Sequence, residues 1–252
     1  MTAHQEKHIK TIGLLGGMSW ESSIEYYRII NQEVNLRLGG VHSARTLMAS
    51  FDFADIEALQ QAGEWESLTG IMIESAQTLE NAGADCLVIC TNTMHRMAAA
   101  VQAAITIPLI HIADATAAAI HARGLQTLGL LGTRFTMEQD FYRARLEQDH
   151  GLEVLIPDGV GRELVHNIIY HELVKGIVRE DSRQSYLQVI QGLEARGAQG
   201  VILGCTEISL LVNQEDVAIP VFDTTLLHAL AAVDWALKDI PKKDNTKPKT
   251  KN

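Results

Sequence analysis

Short apolar runs alternate with longer amphipathic ones along most of the 252-residue chain. Four runs have strand length and end in glycine or small polar residues: TIGLLG (11–16), CLVIC (86–90), TLGLLG (127–132) and GVILGC (200–205). Stretches such as Ser23 to Leu36 and Ala76 to Ala82 have helical spacing and composition. Strand–helix alternation of this kind predicts βαβ units, hence an α/β fold with parallel sheets and helices on both faces. The terminal run PKKDNTKPKTKN (241–252) has no apolar residue to bury and is expected to be disordered, as are residues 1–8.

The pattern also repeats. IGLLGG (12–17) matches LGLLGT (128–133), ADCLVICTNT (84–93) matches AQGVILGCTE (198–207), and IPLIHIADAT (107–116) resembles IPVFDTT (219–225). The offsets are 116, 114 and 112, so order and spacing persist through three landmarks. This predicts duplication of a half-chain α/β unit. Ligands gather at the carboxyl ends of parallel strands, so two halves facing each other would hold a small molecule between matched loops. In the alignment Thr91 stands opposite Cys205, and Cys90 opposite Gly204. Neighbouring strand residues point to opposite faces. If Cys205 faces the cleft, Thr91 does too, and Cys90 turns into packing.

Matched groups on opposite sides of a substrate suit racemisation, which removes a proton from one face of a carbon and returns one to the other. A thiolate is a suitable base, and a strand-end cysteine leading into a helix is expected to have a lowered pKa. Thr93, Thr133 and Thr206, with the free amides of their loops, offer hydrogen bonds to a carboxylate.

Composition narrows the field. The formal net charge of −10 argues against nucleic acid or an anionic membrane as main partner. No apolar run reaches the length of a membrane span, and the N-terminus lacks a signal-peptide core. Three cysteines give no disulfide framework, so a cytoplasmic chain with reduced thiols is expected. Neither Cys-x-x-Cys nor His-Glu-x-x-His occurs, so no metal is expected. GLLGG is not the GxGxxG of a dinucleotide site, and no pyridoxal-binding lysine motif stands out, so no cofactor is expected.

GLLGGMSWES (13–22), NTMH (92–95), HIADAT (111–116), LLGTRFTMEQDFYR (130–143), GCTEI (204–208) and PVFDTT (220–225) together resemble the cofactor-independent aspartate/glutamate racemase family. The resemblance covers about residues 9 to 238. It implies two similar three-layer α/β domains related by a pseudo-twofold axis, a homodimer, and an active site in the interdomain cleft. The first domain would take 9–113 plus 222–240, and the second 114–221. The family's usual catalytic pair is two cysteines. This chain keeps the second as Cys205 and has Thr91 at the first, like a subgroup described as acting on L-aspartate and L-glutamate. By resemblance Cys205 serves the L face with Thr91 opposite, and Asn92, Thr93 and Thr206 bind the α-carboxylate. Met18 lies in the first glycine-rich loop, and Gln60 lies where the family reaches the distal substrate group. Arg45 and Lys175 are weaker candidates for a basic residue there.

Plainer readings stand beside these. Cys90 reads as a buried core thiol, Thr91 as a helix N-cap as well as a cleft acid, His95 as a residue that orients a neighbour, and Glu207 as a capping carboxylate or a proton holder. His111 and Asp114 read as interdomain hydrogen-bonding groups. The alternatives to an amino-acid racemase are a thiol-dependent enzyme of the maleate isomerase or hydantoin racemase type, and a non-catalytic dicarboxylate binder.

Overall fold

The computed structural model describes residues 9–240; the two terminal stretches expected to be disordered lie outside the described residues. The first parallel sheet contains β1 (Thr11–Gly16), β2 (Arg45–Ser50), β3 (Cys86–Ile89) and β4 (Leu109–Ile110), in the order β2-β1-β3-β4. The second contains β5 (Thr127–Gly132), β6 (Glu153–Leu155), β7 (Val201–Gly204) and β8 (Val221–Asp223), in the order β6-β5-β7-β8. One topology is thus built twice, with β1 matching β5 and β3 matching β7. The helices are α1 (Trp20–Leu38), α2 (Phe53–Ala62), α3 (Trp65–Asn81), α4 (Ala98–Ala104), α5 (Ile112–Ala122), α6 (Arg134–Glu138), α7 (Asp140–Ala144), α8 (Gly159–His171), α9 (Glu180–Ala195) and α10 (Thr224–Leu237). None is long and apolar enough to cross a membrane.

The central strands are buried on both faces, which is why they read as unbroken apolar runs. In β3 and the residue after it, Cys86, Val88 and Cys90 join Ile12 and Leu14 against Tyr26, Ile30 and Val34 of α1. Leu87 and Ile89 turn the other way, toward Leu68, Met72, Ala76 and Leu79 of α3. The buried face of α1 follows its sequence, with Tyr26, Ile30 and Val34 one turn apart. Each such burial contributes about 1.5–3 kcal/mol.

Two helices cross over. Ile112, Ala113, Ala117 and Ile120 of α5 follow the first sheet in sequence but pack into the core of the second. Ala229, Ala232, Val233 and Ala236 of α10 follow the second sheet but pack into the core of the first. α10 lies against both α1 and α5, and its alanines allow the close approach.

Candidate active site

The carboxyl ends of the central strands meet between the halves. At the end of β1 the chain turns through Gly17, whose φ is +84°; a Cβ there would run into the backbone of Phe51. The turn delivers Met18 and Ser19, and Ser19 caps α1 through its hydroxyl, accepting from the Ser22 N–H. At the end of β3, Cys90 is fully buried in the cluster of β1, α1 and α10 and does not line the cleft. Its counterpart, Gly204, has no room for a side chain: a Cβ would come within 2.9 Å of Leu130 and Leu131.

All eight residues singled out from the sequence line one cleft enclosing about 410 Å³ of empty space, its mouth included. Met18, Gln60, Thr91, Asn92 and Thr93 come from the first sheet's side, and Thr133, Cys205 and Thr206 from the second. Hydrogen bonds tie the halves together across it. Thr93 and Thr133 hydroxyls meet at 3.2 Å and Ser19 Oγ donates to Glu207 Oε1 at 2.6 Å, while Asn92 Nδ2 donates at 3.0 Å to Thr224 Oγ1 at the start of α10, which itself donates to the Leu203 carbonyl of β7. His95 lies beneath the loop. Its Nε2 accepts from the Ile112 N–H at 3.2 Å, so Nδ1 carries the proton and donates to the Thr91 carbonyl at 2.8 Å. Asp114 accepts from Arg145 at 2.6 and 2.7 Å and lies 2.9 Å from His150, joining α5 to the segment after α7.

Five lining side chains were not singled out as substrate contacts: Phe53, Ile169, Tyr170, Val174 and Glu207. Glu207 is buried, and its carboxylate accepts from Ser19, from Thr206 Oγ1 at 2.7 Å and from Cys205 Sγ at 3.0 Å. Its nearness to Cys205 was visible in the sequence, but its partner Ser19, 188 residues away, was not. Neither Arg45 nor Lys175 lines the cleft.

The expectation of a lowered thiol pKa at Cys205 is corrected. Part of its surface opens on the cleft, yet burial and next the Glu207 charge push the thiol well above its ordinary value. The amides of Thr206 and Glu207 pull the other way but do not prevail. The following helical segment, Ile208–Leu210, is a single short turn and brings little dipole to bear. At rest Cys205 is a thiol, with a carboxylate at hand to take its proton.

Two buried acceptors among the cleft's described lining residues have no partner, Asn92 Oδ1 and Gln60 Oε1. The orientation of Asn92 is fixed: the Thr224 hydroxyl donates to the Leu203 carbonyl at 2.7 Å and can only accept from Asn92, so the amide oxygen is the free end. The described residues gather no group of three His, Cys, Asp or Glu side chains that would hold a metal ion.

Two α/β halves of one topology, with a threonine and a cysteine at matched strand ends on one cleft, define a class of two-domain enzymes with paired strand-end groups. The sequence profile of the family described as Asp/Glu/hydantoin racemase matches residues 15–232, and the chain belongs to that family, isomerases that need no pyridoxal phosphate. A crystal structure of a proposed Asp/Glu racemase from Yersinia pestis is 55% identical, with a TM-score of 0.86 over 90% of this chain and 99% of that one. An aspartate racemase homologue from Pyrococcus horikoshii OT3 is 33% identical, with a TM-score of 0.79 and coverage of 90% and 99%. The broad-specificity amino-acid racemase RacX of Bacillus subtilis (strain 168) is 23% identical over 173 residues, 66% of this chain and 71% of that protein.

Proposed function

We propose that the protein racemises an amino acid by direct α-proton transfer between Cys205 and Thr91. The observation that carries this is the pairing itself: groups from matched strand ends share one cleft, with Glu207 hydrogen-bonded to the thiol. The substrate's α-ammonium brings a positive charge into a low-dielectric space, which favours the thiolate. Cys205 passes its proton to Glu207 and takes the α-hydrogen from the L face. The carbanion is reprotonated from the other face by the Thr91 hydroxyl; as product leaves, solvent returns a proton to the Thr91 oxygen and Glu207 releases the one it took, which resets the pair. A hydroxyl there is a poor resting base, since it is scarcely ionised near neutral pH, but it can donate to a carbanion already formed. Asn92 Oδ1 suits the ammonium, an obligate donor, while Thr93, Thr133 and Thr206 suit the α-carboxylate. Met18 closes the cleft on the first glycine-rich turn.

The family resemblance makes L-aspartate and L-glutamate the first substrates to try. Deuterium uptake at Cα in deuterium oxide is the test. Uptake by the native protein and none by a folded Cys205→Ala variant supports the mechanism; full uptake by that variant sinks it. A dicarboxylate binder shows no uptake from the start.

We also propose a cytoplasmic homodimer. Trp20, Ile24 and Tyr27 lie along α1 and are 58%, 51% and 52% exposed, an apolar stripe that self-association would cover. The three cysteines are unpaired, which suits a reducing compartment. Light scattering after size exclusion reads the dimer directly; a monomer at all concentrations refutes it.

A further inference from the structure

We infer that the amino acid this enzyme racemises carries an uncharged side chain, held against Phe53, Gln60, Ile169, Tyr170 and Val174. The inference rests on the racemase reading above and names the substrate class of the same cleft.

Phe53 and Gln60 stand two turns apart on α2, on one face of that helix. Ile169 and Tyr170 come from α8, and Val174 from the turn after it. These residues line the cleft with no cation among them: of all the described lining residues, the one with a formal charge is Glu207, and it is acidic. Arg45 and Lys175, the bases that might have met a distal carboxylate, are not on the wall. A second carboxylate, Glu57, sits near enough to act on Tyr170. Burial raises that phenol's pKa, and the charges of Cys205, Glu57 and Glu207 push the same way. A substrate carboxylate in this space would be desolvated, would face Glu207 and would find no partner of opposite charge among the described lining residues.

Gln60 sharpens the class. It is 5% exposed, and its Nε2 lies 3.3 Å from Met94 Sδ. A thioether accepts weakly and cannot donate, so the amide nitrogen belongs on the sulfur side. That leaves Oε1, which has no partner, as an acceptor. An acceptor repels a carboxylate and suits a hydroxyl or carboxamide N–H. The side chains that meet this wall best are neutral, with polar neutral ones ahead of wholly apolar ones.

The test uses the full chain and initial rates of α-proton exchange in deuterium oxide. Its panel is L-serine, L-asparagine, L-glutamine, L-methionine, L-aspartate, L-glutamate and L-lysine. The expected result is a kcat/KM for the best neutral amino acid about tenfold or more above those for aspartate, glutamate and lysine. If aspartate, glutamate or lysine matches or exceeds the neutral set, the substrate class is wrong while the racemase reading stands. Exchange with no amino acid overturns both. Val174→Lys supplies the missing cation on the wall and should shift the glutamate-to-glutamine ratio toward glutamate by about tenfold. An unchanged ratio in a variant with native circular dichroism overturns the assignment of the wall.

Discussion

Glu207→Gln keeps the shape of the side chain and removes its charge and an acceptor. In the native cleft the two carboxylate oxygens take hydrogen bonds from Ser19 at 2.6 Å, Thr206 at 2.7 Å and Cys205 at 3.0 Å. Glutamine has one oxygen to receive them and an NH₂ that must face a hydroxyl or the thiol. A hydrogen bond to a charged group contributes about 1.5–3 kcal/mol, partly offset here because a carboxylate no longer has to be buried. The variant should lose about 1–2 kcal/mol, a fall in Tm of about 2–8 °C for a chain of this size. The decisive effect concerns the thiol. After burial, the Glu207 charge is what most holds the Cys205 pKa up, so glutamine should let it fall. The assay is the pH profile of iodoacetamide alkylation, and the buried Cys86 and Cys90 make it a single-site reading. The inflection should move to lower pH while turnover drops by about a hundredfold or more, because the proton acceptor is gone. A more reactive thiol in a slower enzyme is a combination that general damage to the fold does not produce. An inflection that stays or rises, or turnover close to native, refutes the proton path through Glu207.

Thr91→Cys places an ionisable group on the second face, so racemisation should quicken by about tenfold or more. Because the equilibrium constant of racemisation is one, kcat/KM must rise equally from either enantiomer; polarimetry from L and from D that shows no gain removes Thr91 from the mechanism. Cys90→Ser puts a hydroxyl into a fully buried apolar cluster and should cost about 1–3 kcal/mol in urea denaturation with little change in turnover; loss of activity in a stable protein would overturn the register that assigns Thr91 to the cleft. His228 is wholly buried, with Nε2 donating to the Ile110 carbonyl at 2.7 Å, and burial lowers its pKa to about 4. Unfolded, it titrates near 6.5, so between those values the unfolded chain holds a proton that the folded one does not. Stability should be flat in this residue above about pH 6.5 and fall by about 3 kcal/mol as pH drops to 4, with His111, lowered to about 3, adding to the same trend. Equal urea midpoints at pH 7.5 and pH 4.5 would show that the buried histidines carry no such linkage.

The central strands were legible because burial on both faces leaves an unbroken apolar signal. β1 and β5 occupy the predicted spans, while β3 and β7 stop one residue short, before Cys90 and Cys205. The edge strands β2 and β6 were not read. Arg45–Ser50 is largely exposed or half-buried and Glu153–Leu155 is three residues long, so neither carries a pattern that sets it apart from a loop. Site residues at strand ends could be read from the repeat. Phe53, Ile169, Tyr170 and Val174 could not, since helix and turn residues reach the cleft only through the way the halves pack. The thiol pKa was misjudged for a related reason. A helix end can be read locally, but the burial of Cys205 and the carboxylate fixed against it depend on the closed cleft and on Ser19 from the other half.

The exchange of α5 and α10 between the sheets also sets a timetable for synthesis. Two helices pack over Ile12 and Leu14 of β1: α1 follows the strand at once, but α10 begins only at Thr224. At about 5–20 residues per second, the intervening chain takes roughly 10–40 s to make. Until then Ile12 and Leu14 have α1 alone over them, and the apolar surface left bare is a standing invitation to chaperones and to neighbouring chains. The second half, whose α5 is made just before β5, can complete its core first, and an interruption of translation before α10 would leave the earlier-made half the less finished.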